Sequence, residues 1–145
     1  MTRLSLALAV ACGALIALAP SAAAATCELG AADDFQSCLS IRHSTRADGQ
    51  VQLVRSTAVL LVRLDACPAR VARRAVTLRR SNGARLARVT ARGTCKRDGD
   101  EAIARWRAVS RRKRILDPGT AVRSDWADVD EGRDFAEVEV GEPRE

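Results

Sequence analysis

The sequence predicts an all-β fold, an antiparallel β-sandwich of six or seven strands stapled by disulfides. Three observations point there: an Asn-Gly pair between two alternating runs, a second alternating pair around Asp130-Glu131-Gly132, and the lack of a long helical pattern. An even set of cysteines behind an export signal supplies the staples.

The first hairpin is read between Arg73 and Cys95. Asn82 and Gly83 tolerate the positive φ that a two-residue type I′ turn demands at both central positions. With Ser81 and Ala84 flanking the turn, Leu78 faces Ala87, Val76 faces Val89 and Arg74 faces Ala91. One face then carries Val76, Leu78, Ala87, Val89 and Ala91, and the other Arg73, Thr77, Arg79, Arg88 and Arg92. Val71, Ala75 and Leu78 also fall on one side of a helix. The turn dipeptide between matched alternations favours the hairpin.

Residues 1–25 open with Arg3, run apolar from Leu4 to Ala19, break at Pro20 and end in small residues, the pattern of a secretory signal peptide cleaved before Thr26. The run is too short and too rich in alanine for a membrane span. Cleavage removes Cys12 and leaves Cys27, Cys38, Cys67 and Cys95. In an oxidising compartment these form two disulfides, of which Cys27 with Cys38 and Cys67 with Cys95 is the favoured pairing because the second bond would clamp the open end of the hairpin. No two of the four have the close spacing of a structural zinc site, so no metal and no cofactor is expected.

Residues 26–50 read as a disulfide-pinned lead-in followed by a loop, residues 51–141 as the sandwich domain and 142–145 as a tail. Val51 to Cys67 is apolar on both sides, with Ala58, Leu60, Val62 and Leu64 on one and Val59 and Leu61 on the other. Such a strand belongs in the middle of a sheet, and Pro68 ends it. In the run from Ala102 to Val109, Trp106 shares a face with Ala102, Ala104 and Ala108, where its ring fills space the alanines leave. Near the end, a three-residue loop closed by Gly132 would pair Trp126 with Ala136, Ser124 with Val138 and Val122 with Val140.

Leu116-Asp117-Pro118-Gly119-Thr120-Ala121-Val122-Arg123-Ser124-Asp125-Trp126 resembles the Leu-x-Pro-Gly-Thr-x-Tyr-x-Val stretch that opens the penultimate strand of fibronectin type III domains, with Val122 at the corner tyrosine. The run from Phe135 to Val140 is similar to that fold's last hairpin. The resemblance implies an immunoglobulin-like sandwich and no particular activity.

Function is legible only as charge. The chain carries a formal +6, and its distribution is polarised: seventeen Arg and Lys against four acids from Arg63 to Arg114, and nine acids against two arginines from Asp125 to Glu145. Arg79, Arg88, Arg92, Arg111, Arg112, Lys113 and Arg114 are the candidates for a surface docking a polyanion such as a wall polymer, an acidic glycan or lipid headgroups. Glu137 and Glu139 could instead neutralise the arginine face from a neighbouring strand. With two Trp, two Phe and no Tyr, the chain lacks a stacking platform for nucleic acid.

An enzyme finds little support. His43 and Ser44 are adjacent, which does not allow the nucleophile and base to meet, and no Gly-x-Ser-x-Gly elbow exists. Asp98 with Asp100, or Asp125 with Asp128, could form a carboxylate pair, but without the aromatic lining of glycosidase sites. The expectation is a secreted, non-catalytic module of the extracellular space or cell envelope, whose partner is an envelope polyanion or another secreted protein.

Overall fold

The computed structural model describes residues 22–29, 35–127 and 136–140. Ten strands lie among them: β1 (Ala22–Leu29), β2 (Phe35–Thr45), β3 (Val51–Leu64), β4 (Arg74–Arg80), β5 (Arg85–Ala91), β6 (Gly93–Asp98), β7 (Glu101–Ser110), β8 (Arg114–Leu116), β9 (Thr120–Trp126) and β10 (Ala136–Val140). They build two antiparallel sheets. A six-stranded sheet runs β1-β2-β3-β7-β6 with β8 paired to the start of β3, and a four-stranded sheet runs β10-β9-β4-β5. Leu39, Ile41, Leu60 and Trp106 from the first share one buried apolar cluster with Val76, Leu78, Val122 and Trp126 from the second.

β3 takes the central place expected of it, with β2 on one side and β7 then β8 on the other. Its alternation is broken once. Arg42 pairs with Arg55 and His43 with Leu53, so Val54 has no partner on β2. That extra residue reverses the side-chain parity, which lets Val51 and Leu53 point inward along with Ser56, Ala58 and Leu60.

The lead-in is the first correction. Phe35–Thr45, expected as a loop, is an eleven-residue strand paired along its length with β3. Its inward positions are Ser37, Leu39, Ile41 and His43, all buried. Two of those four are polar, and this hides the alternation from a reading that looks for apolar residues. Cys27 and Cys38 are register partners on β1 and β2, and their disulfide joins the two strands.

The first hairpin pairs as expected at Arg74 with Ala91, Val76 with Val89 and Leu78 with Ala87. Its turn differs. Gly83 N donates to Arg80 O at 2.9 Å and Arg80 N to Ala84 O at 2.9 Å, which encloses a three-residue loop, Ser81 to Gly83, with Gly83 at φ +85°. Asn82 Oδ1 accepts from Ala84 N at 3.0 Å and steadies it. The odd residue is absorbed by a register shift after Leu78, and Leu86 and Ala87 are both buried as a result.

The strand expected to run on to Cys95 instead changes sheet at Arg92. β5 belongs to the four-stranded sheet and β6 to the six-stranded one. Gly93 makes this passage possible: a Cβ there would lie 2.2 Å from Val71 Cγ1 and 2.5 Å from Trp106 Nε1, closer than atoms can approach. The Cys67–Cys95 disulfide forms as expected, but it ties the segment after β3 to β6 rather than clamping the hairpin β4–β5. Trp106 anchors the same segment. The indole is 4% exposed, its Nε1 donates to Ala72 O at 2.8 Å, and the Arg74 guanidinium sits 4.6 Å from the ring centroid.

The last hairpin keeps its faces but not its partners. Ala136 pairs with Ser124, Val138 with Val122 and Val140 with Thr120, two residues away from the expected register. The slip is even, so the register keeps its parity. The proposed turn at Gly132 lies outside the described residues, as do 1–21 and 141–145, which include most of the signal segment and the tail. At the other end of β9, Asp117-Pro118-Gly119 turns the chain with Gly119 at φ +79°, and Gly119 N donates to Val140 O at 2.8 Å. β1, β2 and β8, with the division of β5 from β6, bring the six or seven expected strands to ten.

Candidate anion-binding surface

The seven basic residues singled out from the sequence do not form one surface. Arg79 and Arg88 lie on the exposed face of the four-stranded sheet, where Thr77 pairs with both Arg88 and Asp125. Arg79 is engaged: its Nε is 3.2 Å from Asp125 Oδ2, and its Nη1 donates to Gly83 O at 3.1 Å. Arg123 Nε reaches the other oxygen of Asp125 at 3.5 Å. On this face β9 thus supplies one carboxylate, shared by Arg79 and Arg123. Glu137 pairs in register with Arg123 and Glu139 with Ala121, so β10 does not sit beside the arginines of the hairpin, as the charge reading expected.

Arg92 falls elsewhere, at the passage between sheets. With Arg70, Arg73 and Gly93 it lines an open cleft of about 540 Å³ whose wall is completed by Val71 and Ala72. Three cations converge there because the Trp106 hydrogen bond to Ala72 draws the connecting segment against the β5–β6 junction. Arg73 and Arg92, read from the sequence as sharing one face of the hairpin, lie just beyond the ends of β4 and β5, and the cleft holds both.

Arg111, Arg112 and Lys113 form the exposed loop between β7 and β8. Ser110 pairs with Ser56 and Arg114 with Leu53, so the loop passes beside the Val54 bulge of β3. Arg114 itself turns away to donate from Nε to Leu86 O at 3.2 Å. Sequence reasoning missed three arginines that line one depression on the same sheet: Arg42 on β2, Arg55 on β3 and Arg107 on β7. Their alternation with buried neighbours, Ile41 beside Arg42 and Trp106 and Ala108 around Arg107, was the available signal.

The residues considered for catalysis are scattered. His43 is buried on the inward face of β2, its Nδ1 has no hydrogen-bond partner among the described residues, and burial holds its pKa below the usual histidine value. Ser44 is its neighbour on an extended strand and so points to the other face. Asp98 and Asp100 are exposed at the β6–β7 turn, Asp125 is occupied by two arginines, and Asp128 lies outside the described residues. Among the described residues no group of three or more His, Cys, Asp and Glu is placed to hold a metal ion, and no helix is long and apolar enough to cross a membrane. Against family models, curated proteins and solved structures the chain finds no match.

Proposed function

We propose that this chain is an exported, non-catalytic binding module whose two sheets pack as a β-sandwich of the fibronectin type III kind, and that it docks an anionic polymer of the cell envelope through its unneutralised arginines. One observation carries this reading. The ion pairs among the described residues engage Arg46, Arg63, Arg79 and Arg123. They leave the Arg70, Arg73 and Arg92 cleft and the Arg111 to Lys113 loop without a carboxylate partner among those residues. Guanidinium groups held near one another repel, and a polymer that supplies the missing negative charge relieves that repulsion as it binds.

Two disulfides fit the oxidising compartment that export implies. Cleavage after Ala25 would keep Thr26 to Leu29 of β1 and its bond to β2, because Cys27 lies beyond the cut. The reading is tested by applying the exported protein to a sulfated polysaccharide resin and eluting with salt. Retention that falls steeply with ionic strength supports docking. Elution with neutral proteins at low salt counts against it.

A further inference from the structure

The exposed face of the six-stranded sheet gathers arginines from three adjacent strands. Arg42 and Arg55 are direct register partners across β2 and β3. Arg107, opposite Val59, reaches toward them from β7. Together with Ala23, Ser40 and Thr57 they enclose a shallow depression of about 190 Å³. None of the ion pairs among the described residues involves any of the three arginines. Arg55 Nε is shielded from solvent and has no hydrogen-bond partner there.

Like charges set opposite each other on neighbouring strands destabilise a sheet, and a guanidinium N–H withdrawn from water without an acceptor adds to the cost. Both penalties vanish if an anion sits between the side chains. The floor of small and hydroxyl-bearing residues, Ser40 and Thr57, leaves room for a compact group and offers it further donors. A carboxylate has two oxygens, and a single guanidinium fork can satisfy it. Three forks converging on one place match a group with three or more acceptor oxygens.

We infer that Arg42, Arg55 and Arg107 form a site for one tetrahedral oxyanion, a phosphate or sulfate ester, and that this is a specific foothold for the docked polymer; the assignment rests on the anion-docking reading. The Arg111 to Lys113 loop flanks the site on the β8 side of β3, where it can meet the next charged unit of a chain. The site does not depend on Ala23, which export would remove, because its arginines and hydroxyls all lie beyond residue 39.

Thermal stability of the exported protein, titrated with inorganic phosphate, sulfate and acetate at matched ionic strength, separates the possibilities. Phosphate or sulfate should raise Tm saturably while acetate leaves it unmoved, and the stronger of the two identifies the ester. R42Q and R107Q alter exposed side chains, and each should weaken the apparent affinity about tenfold, with R55K intermediate because it keeps the charge and loses the fork. R63Q, at a side chain already paired with Glu101 and outside both the site and the docking surface, should titrate like the parent. Equal titration of parent, R42Q and R107Q overturns the site, as does an acetate effect equal to that of phosphate. If a glutamine variant fails to fold by circular dichroism, R42K and R107K carry the same comparison. Parent protein that passes unretained through the sulfated resin sinks the docking reading itself. Retention with an anion response that no variant changes sinks only this site.

Discussion

On the exposed face of the four-stranded sheet, Arg79 and Arg123 both reach Asp125, at 3.2 and 3.5 Å. On the six-stranded sheet Arg42 stands across from Arg55 and no carboxylate of the described residues approaches either. Both faces are built from alternate positions of antiparallel strands and both are rich in arginine. Arginine stands opposite arginine on both, Arg79 across from Arg85 and Arg123 on one and Arg42 across from Arg55 on the other, but only on the first does the next strand also bring an acid. β9 carries Asp125 to the side of β4, whereas β7 brings Arg107 and Arg105 to the side of β3. Arginine paired with an acid and arginine without a carboxylate partner among the described residues are thus told apart by strand order, which composition does not reveal.

The tryptophans sharpen the contrast between the sheets. Trp106 on β7 donates to Ala72 O and lies under Arg74, while Trp126 on β9 is buried with no hydrogen-bond partner for its Nε1 among the described residues. Trp106→Ala should therefore cost about 3–5 kcal/mol in chemical unfolding, since it empties the core and frees the connecting segment. Trp126→Phe, which deletes an N–H that has no acceptor there, should cost about 1 kcal/mol or less. A loss at Trp106→Ala no larger than that at Trp126→Phe would count against the place of Trp106 as an anchor of core and connecting segment.

Replacing Cys67 and Cys95 by Ser should lower stability by roughly 2–4 kcal/mol, and the same change at Cys27 and Cys38 by less, because the first pair is 28 residues apart and the second 11. The two exposed faces should then respond with opposite signs. Asp125→Asn on the four-stranded sheet should destabilise by up to about 1 kcal/mol at low salt, and Arg42→Gln on the other should stabilise by a few tenths, about what one like-charge cross-strand pair is worth. Loss of stability in both variants would end the distinction drawn between the faces.

The smallest effect expected is that of His43. Burial depresses its pKa in the folded chain, so on acidification the unfolded chain takes up a proton first. Stability is fully present above the ordinary histidine value near about 6.5 and falls as pH drops from there toward the depressed folded value. His43→Gln should flatten that part of the stability curve in a pH series of denaturant titrations.

The parts of this fold that were legible are those where local chemistry decides the geometry. Asn82-Gly83 located the hairpin and the pairs Val76 with Val89 and Leu78 with Ala87, and the cysteines found their partners. The loop nonetheless took three residues, since a bulge could bury Leu86 beside Ala87 and gain apolar area. β2 stayed hidden because serine and histidine occupy two of its inward places. The candidate site was still less accessible: Arg42, Arg55 and Arg107 come together only after β2, β3 and β7 are laid side by side, and that order is a long-range property of the chain.

The step from one sheet to the other at Arg92 and Gly93 also has a mechanical side. Because the backbone threads from β5 straight into β6, and a covalent cross-link leads from β6 back to the residues just beyond β3, pulling either sheet loose drags on its neighbour. Amide protons in β4 and β7 should then exchange with solvent through one shared opening, as they would in a garment whose two panels are sewn along a common seam.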